Sequence, residues 1–394
     1  MAAQKELSDA DKNVRGRRGH RKSRSGCANC KLRSVKCDEG FPECGKCLSF
    51  GVRCNYDLRI PDLQPRFNMA TRKLNGKTQT CNALTSAEGS RLELTEQDLI
   101  RLERFKIRTA LSLGPPELRQ IYDNEIYRLI LRHPFLMHIA HTLTLIHDRY
   151  SLSIPGQRTV EEIRHWSKGI GLFNKKLSVP LHPADRDAIW AGTSMLGVIT
   201  FASIDFPTRT DETWPLTSLP KAEPEWLKMV QGKASLRQLI KPDRPDSMFY
   251  SLSSAIPTVK LAPENIPLAF IKLYQLDGSF ANNNPYAIPV RVIFAAKTIE
   301  EYPSSSATAL FYEFIYCIQN EFSHLVLNKD PRALLIMVYW YSKICTGQWW
   351  LRRRALIEGR ATCTFLEKYY AHDAAIQDLL RRPRNYLFQI TFLI

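Results

Sequence analysis

Six cysteines stand close together as Cys27-x2-Cys30-x6-Cys37-x6-Cys44-x2-Cys47-x6-Cys54. Thiolates in Cys-x2-Cys pairs are soft ligands suited to zinc. The halves Cys27/Cys30/Cys37 and Cys44/Cys47/Cys54 repeat the same spacings, so one three-thiolate unit is used twice. Tetrahedral zinc takes four ligands, and two separate ions would need eight sulfurs. If two cysteines bridge, six sulfurs make eight metal–sulfur bonds, which predicts two zinc ions as the cofactor. A segment this short buries no core of its own and must take its fold from the metal.

Thiols remain free ligands only in a reducing compartment, and ten cysteines in all raise the alternative of a disulfide framework. Residues 1–26 are charged and polar with no apolar stretch of signal-peptide type, which predicts an intracellular protein and favours zinc. No apolar run reaches the roughly 18 residues of a membrane span, so no membrane partner is expected. The remaining Cys81, Cys317, Cys345 and Cys363 are scattered and read as small packed or surface residues.

The 394 residues carry 55 Lys and Arg against 39 Asp and Glu, a formal charge of +16. Such an excess calls for a polyanionic partner. It is concentrated early: Arg15, Arg17, Arg18, Arg21, Lys22, Arg24, Lys31, Arg33 and Lys36 follow one another without an intervening acid. Two zinc ions and six thiolates sum to a charge of minus two, so these residues more than neutralise the cluster and leave positive surface for phosphate. Double-stranded DNA is therefore the predicted partner, with Lys or Arg on a short helix reading guanine in the major groove. Arg17, Arg18, Arg21 and Lys22 also form a nuclear-localisation-like run, which places the protein in the nucleus.

The elements that must position these groups follow in order. Residues 1–26 read as a basic disordered tail and 27–54 as the zinc cluster, in which each Cys-x2-Cys opens a short helix and Pro42 turns the chain between halves. Residues 55–91, punctuated by Pro61, Pro65 and Asn75-Gly76, read as a basic linker. Leu92, Thr95, Leu99 and Leu102 begin a heptad ladder that fails at Lys106 and Thr109, so no dimerising coiled coil is predicted and the oligomeric state stays open. Residues 92–394 carry helical periodicity almost throughout. Thr95 with Asp98 forms a capping box for a helix to about Leu113, Pro134 opens an apolar helix, and Asp330-Pro331 opens another. Ala191, Gly192, Gly197 and Ala202 allow a neighbour close to the helix of 189–204. Further helices are expected at about 159–177, 222–240, 306–328, 331–357, 361–370 and 372–382, whereas 205–221 and 241–290 read as loops. The fold class is thus a small zinc-stabilised binuclear cluster domain plus a large all-α domain.

Other chemistry is weaker. His133, His138, His141 and His147 lack an accompanying carboxylate or cysteine at ligand spacing and read as satisfied core histidines rather than a metal site. Tyr339, Trp340, Tyr341, Trp349 and Trp350 read as core, and Arg352-Arg353-Arg354 as a solvated helix face. No nucleophile elbow, HExxH, Walker loop or dinucleotide fingerprint is present, so the sequence gives no support to an enzyme.

The run Gly26-Cys27-Ala28-Asn29-Cys30-Lys31-Leu32-Arg33-Ser34-Val35-Lys36-Cys37-Asp38-Glu39, followed by Pro42, Cys44, Cys47 and Cys54, strongly resembles the fungal binuclear zinc cluster transcription factors. The resemblance implies that Cys27 and Cys44 bridge the two zincs. It implies too that the end of the first helix, at Arg33, Ser34 and Lys36, reads CGG-type triplets; Arg24, Lys31 and Lys46 complete the expected DNA-contact set. The family usually has a second basic residue where this chain has Ser34. Phe135-Leu136-Met137-His138, Asp187-Ala188-Ile189-Trp190-Ala191 and Asp330-Pro331-Arg332-Ala333-Leu334 are similar to the helical regulatory region of sterol-uptake-regulator-like members. That implies a domain that masks or recruits transcription machinery or co-regulators and, in some relatives, binds a small lipid-like effector. The expected function is a sequence-specific regulator of RNA polymerase II genes; the rival is a zinc-stabilised protein-interaction or RNA-binding module.

Overall fold

A computed structural model of the chain describes residues 25–41, 43–50, 54–56, 80–85, 91–114, 121–151, 158–204, 210–217, 224–250, 266–277, 284–295, 304–318 and 321–390. The chain divides into two units, Met1–Lys77 and Thr78–Ile394. The division falls inside the stretch read as linker. The basic tail and its localisation run, Arg24, and Pro42 lie outside the described residues.

The first unit holds two short helices, α1 (Ala28–Leu32) and α2 (Gly45–Phe50), one in each cysteine half. Its buried hydrophobic cluster is the six cysteines themselves, with Tyr56 packed against them. Among its described residues the core is sulfur with little hydrophobic burial to hold it, so stability there must come from what the sulfurs bind.

The second unit opens differently from the linker reading. β1 (Thr80–Thr85) and β2 (Arg91–Thr95) pair antiparallel, with Leu84 opposite Leu92 and an irregularity between Thr80 and Ala83. Threonine-rich, short and bulged, this ladder lacks the clean alternation that reveals a strand in sequence. Thr95 ends β2 and caps α3 (Glu96–Arg104): its hydroxyl accepts from the Asp98 amide at 3.2 Å while Asp98 accepts from the Thr95 amide at 3.0 Å. The helical path continues through a wider and then a tighter turn to Ser112, in line with the expected end near Leu113.

Next come α4 (Tyr127–Arg132), α5 (Pro134–Ser151), α6 (Val160–Leu177), α7 (Arg186–Ala202) and α8 (Glu225–Ile240). The stretch 241–290, read as loop, contains α9 (Leu268–Tyr274) and the start of α10 (Ala287–Ala295). Pro267 and Asn284 flank these two helices and disguised them, yet Phe270 and Tyr274 of α9 are buried. The chain ends with α11 (Ser304–Cys317), α12 (Glu321–Leu327), α13 (Pro331–Ile344), α14 (Trp349–Tyr369) and α15 (Ala374–Gln389). The helix expected over 331–357 is thus broken at 345–348, and 361–370 belongs to α14.

α5, α7, α13 and α14 lie at the centre. α5 packs on α3, α6 and α7; α14 packs on α7, α13 and α15. A Cβ on Gly192 would stand 3.1 Å from the Phe135 ring and 3.3 Å from Phe173, so glycine there allows α7 to approach α5 as the small-residue pattern implies. Asp330 caps α13, accepting from the Ala333 amide at 2.8 Å, with Pro331 in the first turn. Trp340 and Trp350 are core, meeting Phe201, Trp226 and Phe311.

The reading of Arg352-Arg353-Arg354 as a solvated face fails at Arg354. It is buried, donates to the carbonyls of Phe201 (3.0 Å) and Thr200 (2.9 Å), and pairs with Glu358 one turn on. Glu358 also accepts from Trp226 Nε1 at 3.0 Å and from the Tyr341 hydroxyl at 2.6 Å. Burial and the Glu358 charge hold Tyr341 well above the ordinary tyrosine range. α7, α8, α13 and α14 are all tied to this one carboxylate, directly or through Arg354. Glu358→Ala should therefore leave Arg354 without its buried counter-ion and cost about 3–5 kcal/mol. Chemical denaturation of the full chain checks it; a loss below about 1 kcal/mol would show that the network contributes little.

Candidate metal centre

All six cysteine side chains are buried. Cys27 Sγ lies 3.8 Å from Cys44 Sγ and 3.5 Å from Cys47 Sγ, and Cys30 Sγ lies 3.6 Å from Cys44 Sγ. A disulfide would need about 2.05 Å. Tetrahedral zinc with bonds of about 2.3 Å spaces its sulfurs about 3.8 Å apart, and the observed separations fit that edge. The sulfurs gather as two groups able to hold a metal, Cys27/Cys30/Cys37/Cys44 and Cys27/Cys44/Cys47/Cys54, which have Cys27 and Cys44 in common.

Local structure explains the convergence. Cys27 stands at the N-cap of α1, and its sulfur turns to Cys44 and Cys47. In the second half Cys44 Sγ accepts from the Cys47 amide, at 3.3 Å. Asp38 accepts from the Gly45 amide at 2.9 Å, and a Cβ on Gly45 would come within 2.6 Å of that carboxylate, so a larger residue after Cys44 would displace the Asp38 side chain. Burial alone raises the thiols of Cys27, Cys30, Cys37, Cys47 and Cys54. At Cys27 the Cys30 amide and the thiols of Cys54 and Cys47 overcome it and bring the group down to about 6, whereas burial drives Cys54 up to about 12. Crowded sulfurs thus compete for protons, and a divalent cation is what lets all of them ionise.

Spacing alone did not reveal Asn55 and Tyr56, just past the last cysteine. The Ala28 amide donates to the Asn55 carbonyl at 3.2 Å and the Asn29 amide to Asn55 Oδ1 at 2.6 Å, closing the ends of the unit on each other. The Tyr56 hydroxyl meets Cys37 Sγ at 3.4 Å, and its ring stacks on Phe41. No motif marks these residues; the polar Asn beside Cys54 was the only signal.

Of the expected DNA contacts, Lys31, Ser34, Lys36 and Lys46 are exposed. Arg33 is half-buried and donates to the Lys46 carbonyl at 3.2 Å, so it joins the two halves. Ser34 has φ of 56°, with its amide bonded to the Lys31 carbonyl and the Val35 amide to the Cys30 carbonyl. This is a helix-ending loop that normally takes glycine.

The four histidines do not form a site together. His147 stacks on Trp349, with ring centroids 4.4 Å apart, and His133 Nδ1 lies 3.9 Å from Asp185. His138 and His141 share a face as expected but meet His165 of α6, which sequence spacing could not reveal: His138 Nδ1 is 2.9 Å from His165 Nδ1. Burial pushes His138 down to about 4 and His165 to about 3. Among the described residues the metal-capable groups are confined to the six cysteines. Cys345 and Cys363 are buried and Cys317 is half-buried, while Cys81 lies on β1.

Residues 25–62 match the fungal Zn(2)-Cys(6) binuclear cluster domain. The chain carries that domain. Zinc binding by its cysteines follows. Over 55 residues the chain is 47% identical to a Zn(2)-C6 fungal-type transcription factor of Gibberella zeae, covering 14% of this chain and 11% of that protein. It is 55% identical over 67 residues to Sterol uptake control protein 2 of Saccharomyces cerevisiae, covering 16% and 7%. With the Zn(2)-C6 fungal-type transcription factor afumD of Aspergillus fumigatus, identity is 26% over 226 residues, 56% of this chain and 55% of that protein. That alignment is longer than the first unit and so takes in part of the helical one. The chain spans at most about half the length of these relatives, and the Gibberella zeae and Aspergillus fumigatus proteins are named as transcription factors, a non-enzyme class.

Cys27 belongs to both sulfur groups and Cys54 to one. Cys27→Ala should therefore lose more zinc than Cys54→Ala, measured by metal analysis of the purified full chain; equal losses would refute a shared role for Cys27. Ser34→Gly should relieve the left-handed backbone and stabilise the zinc-loaded cluster by up to about 1 kcal/mol, read from the chelator concentration that unfolds it. A destabilised variant would contradict the conformation.

Proposed function

We propose that the chain is a nuclear, sequence-specific DNA-binding transcription regulator of RNA polymerase II genes, in which two zinc ions hold α1 for insertion into the major groove. Cys27, Cys30, Cys37, Cys44, Cys47 and Cys54 would be the ligands, with Cys27 and Cys44 bridging. The zinc supplies fold and fixed charge; this chain's residues do the reading. One observation carries the proposal: a short helix, fixed at its start by Asn55 and at its end by Arg33, presents Lys31 to solvent, and Lys36 is exposed just beyond it.

Lys31 and Lys36 supply base-edge or phosphate contacts, Arg33 sets the helix angle, and Ser34 turns the chain away after one and a half turns. Arg24 and Lys46 add phosphate contacts, with CGG-type triplets as the target and Arg17, Arg18, Arg21 and Lys22 as the nuclear signal. The helical unit would engage transcription machinery or co-regulators and respond to an effector, and it leaves monomer and dimer equally open. A second reading, protein or RNA contact, rests on the exposed Leu32, Val35 and Phe41.

Binding to CGG-bearing and scrambled duplexes across a salt series separates the two. The regulator binds CGG sites more tightly, with affinity falling steeply as salt rises; equal affinity for both duplexes at every salt overturns it. Lys31→Ala should cost about 1–3 kcal/mol on the CGG duplex and relax the preference if Lys31 reads a base, whereas a uniform loss identifies a phosphate contact.

A further inference from the structure

A cleft between α7, α8 and α11 has no role in the reading above. Its main chamber, about 140 Å3, is lined by Tyr122, Ile126, Trp190, Phe249 and Tyr312 among others. A smaller void of about 20 Å3 borders it, sharing Ser194, Lys233, Tyr312 and Tyr316 and reaching inward to Phe311 and Trp350. Close-packed interiors hold few voids larger than a water molecule, so a chamber of this size walled by aromatics is not ordinary packing. An apolar cavity of about 150 Å3 accommodates one benzene ring. The enclosed part of this cleft therefore fits a single ring or a short aliphatic body, and a sterol or long acyl chain exceeds it.

Two cations face the cleft from successive turns of α8, and they differ. Arg237 is already engaged: it lies 3.4 Å from Asp243 and donates to the Tyr316 hydroxyl at 3.2 Å. The Lys233 ammonium lies 5.2 Å from the ring centres of both Trp190 and Tyr312, and among the described residues no carboxylate pairs with it. Burial, with the Arg237 charge adding to it, lowers Lys233 to about 8. An ammonium half-buried between two ring faces, with no carboxylate paired to it among the described residues, is short of a counter-ion. Arg237 and Asp243 already pair, so a dianion such as a phosphate monoester would meet one further cation, Lys233, beside the carboxylate of Glu313. A monoanion suits the balance.

We propose that this cleft binds a small molecule with a ring-sized apolar body and a single carboxylate, which pairs with Lys233. The body fills the chamber between Trp190, Tyr312 and Phe249, while the carboxylate pairs with the half-buried Lys233 ammonium. The site belongs to the helical unit and stands whether or not the zinc cluster reads CGG triplets, because its test does not involve DNA.

The test is calorimetric titration of the purified, zinc-loaded full chain with benzoate and with benzyl alcohol, a neutral molecule of nearly the same shape. Benzoate should bind saturably and at least tenfold more tightly than benzyl alcohol, about the difference expected for a charge-assisted bond. Lys233→Met, which keeps most of the side-chain volume, should remove that preference, and Lys233→Arg should retain it. The proposal is overturned if benzoate shows no saturable binding, if the two probes bind equally, or if Lys233→Met binds benzoate as well as the parent. Should Lys233→Met fail to fold, the comparison of the two probes on the parent chain still decides.

Discussion

Six buried sulfurs, four of them within 3.5–3.8 Å of a neighbouring sulfur, make up the interior of the first unit among its described residues. Such a core is repulsive once the thiols ionise and offers almost no hydrophobic gain while they do not. Everything else in the unit depends on the cation that reconciles those facts. The helix start, the Asp38–Gly45 contact and the Arg33–Lys46 contact are each too weak to hold two single-turn helices in water, where short helices are marginal. Metal and protein hydrogen bonds divide the work: sulfurs set where the helices meet, and Asn55, Asp38 and Arg33 set how they are angled.

The helical unit rests on the opposite economy. Its core is a continuous body of aliphatic and aromatic side chains, and charge enters only where helices must be registered. Glu358 joins three donors from three helices, Asp98 joins the cap of α3 to Arg101 at 2.7 Å and lies near His141 and His165, and Asp187 takes Arg244, Ser247 and the Met248 amide. Each acid is satisfied several times over, the condition under which burying a charge does not destabilise. Lys233 breaks that pattern, which is what singles out its cleft.

Features set by neighbours in sequence were legible. The cysteine spacing, the Thr95/Asp98 box, the Asp330-Pro331 start and the glycine that admits Phe135 are all local, and the structure contains each of them. What was hidden joins residues far apart in the chain: Tyr56 with Cys37, His165 with His138, Glu358 with Trp226. Arg354 shows the mechanism of error, since three consecutive arginines look solvated until helix phase turns one of them inward. The hairpin of 80–95 and the helix Leu268–Tyr274 were missed because bulged threonines and flanking Pro and Asn mask short elements that tertiary packing stabilises.

Asn55 receives the amides of both Ala28 and Asn29, and this has a geometric corollary. The polypeptide enters and leaves the cluster through a single doorway. The arginine-rich run that precedes Cys27 and the basic stretch that follows Tyr56 therefore start from neighbouring points, not from opposite poles of the unit. Residues 25–28 and 54–56 share one side of the unit, so the chain on either side of the cluster is joined to it at a single place beside the start of α1.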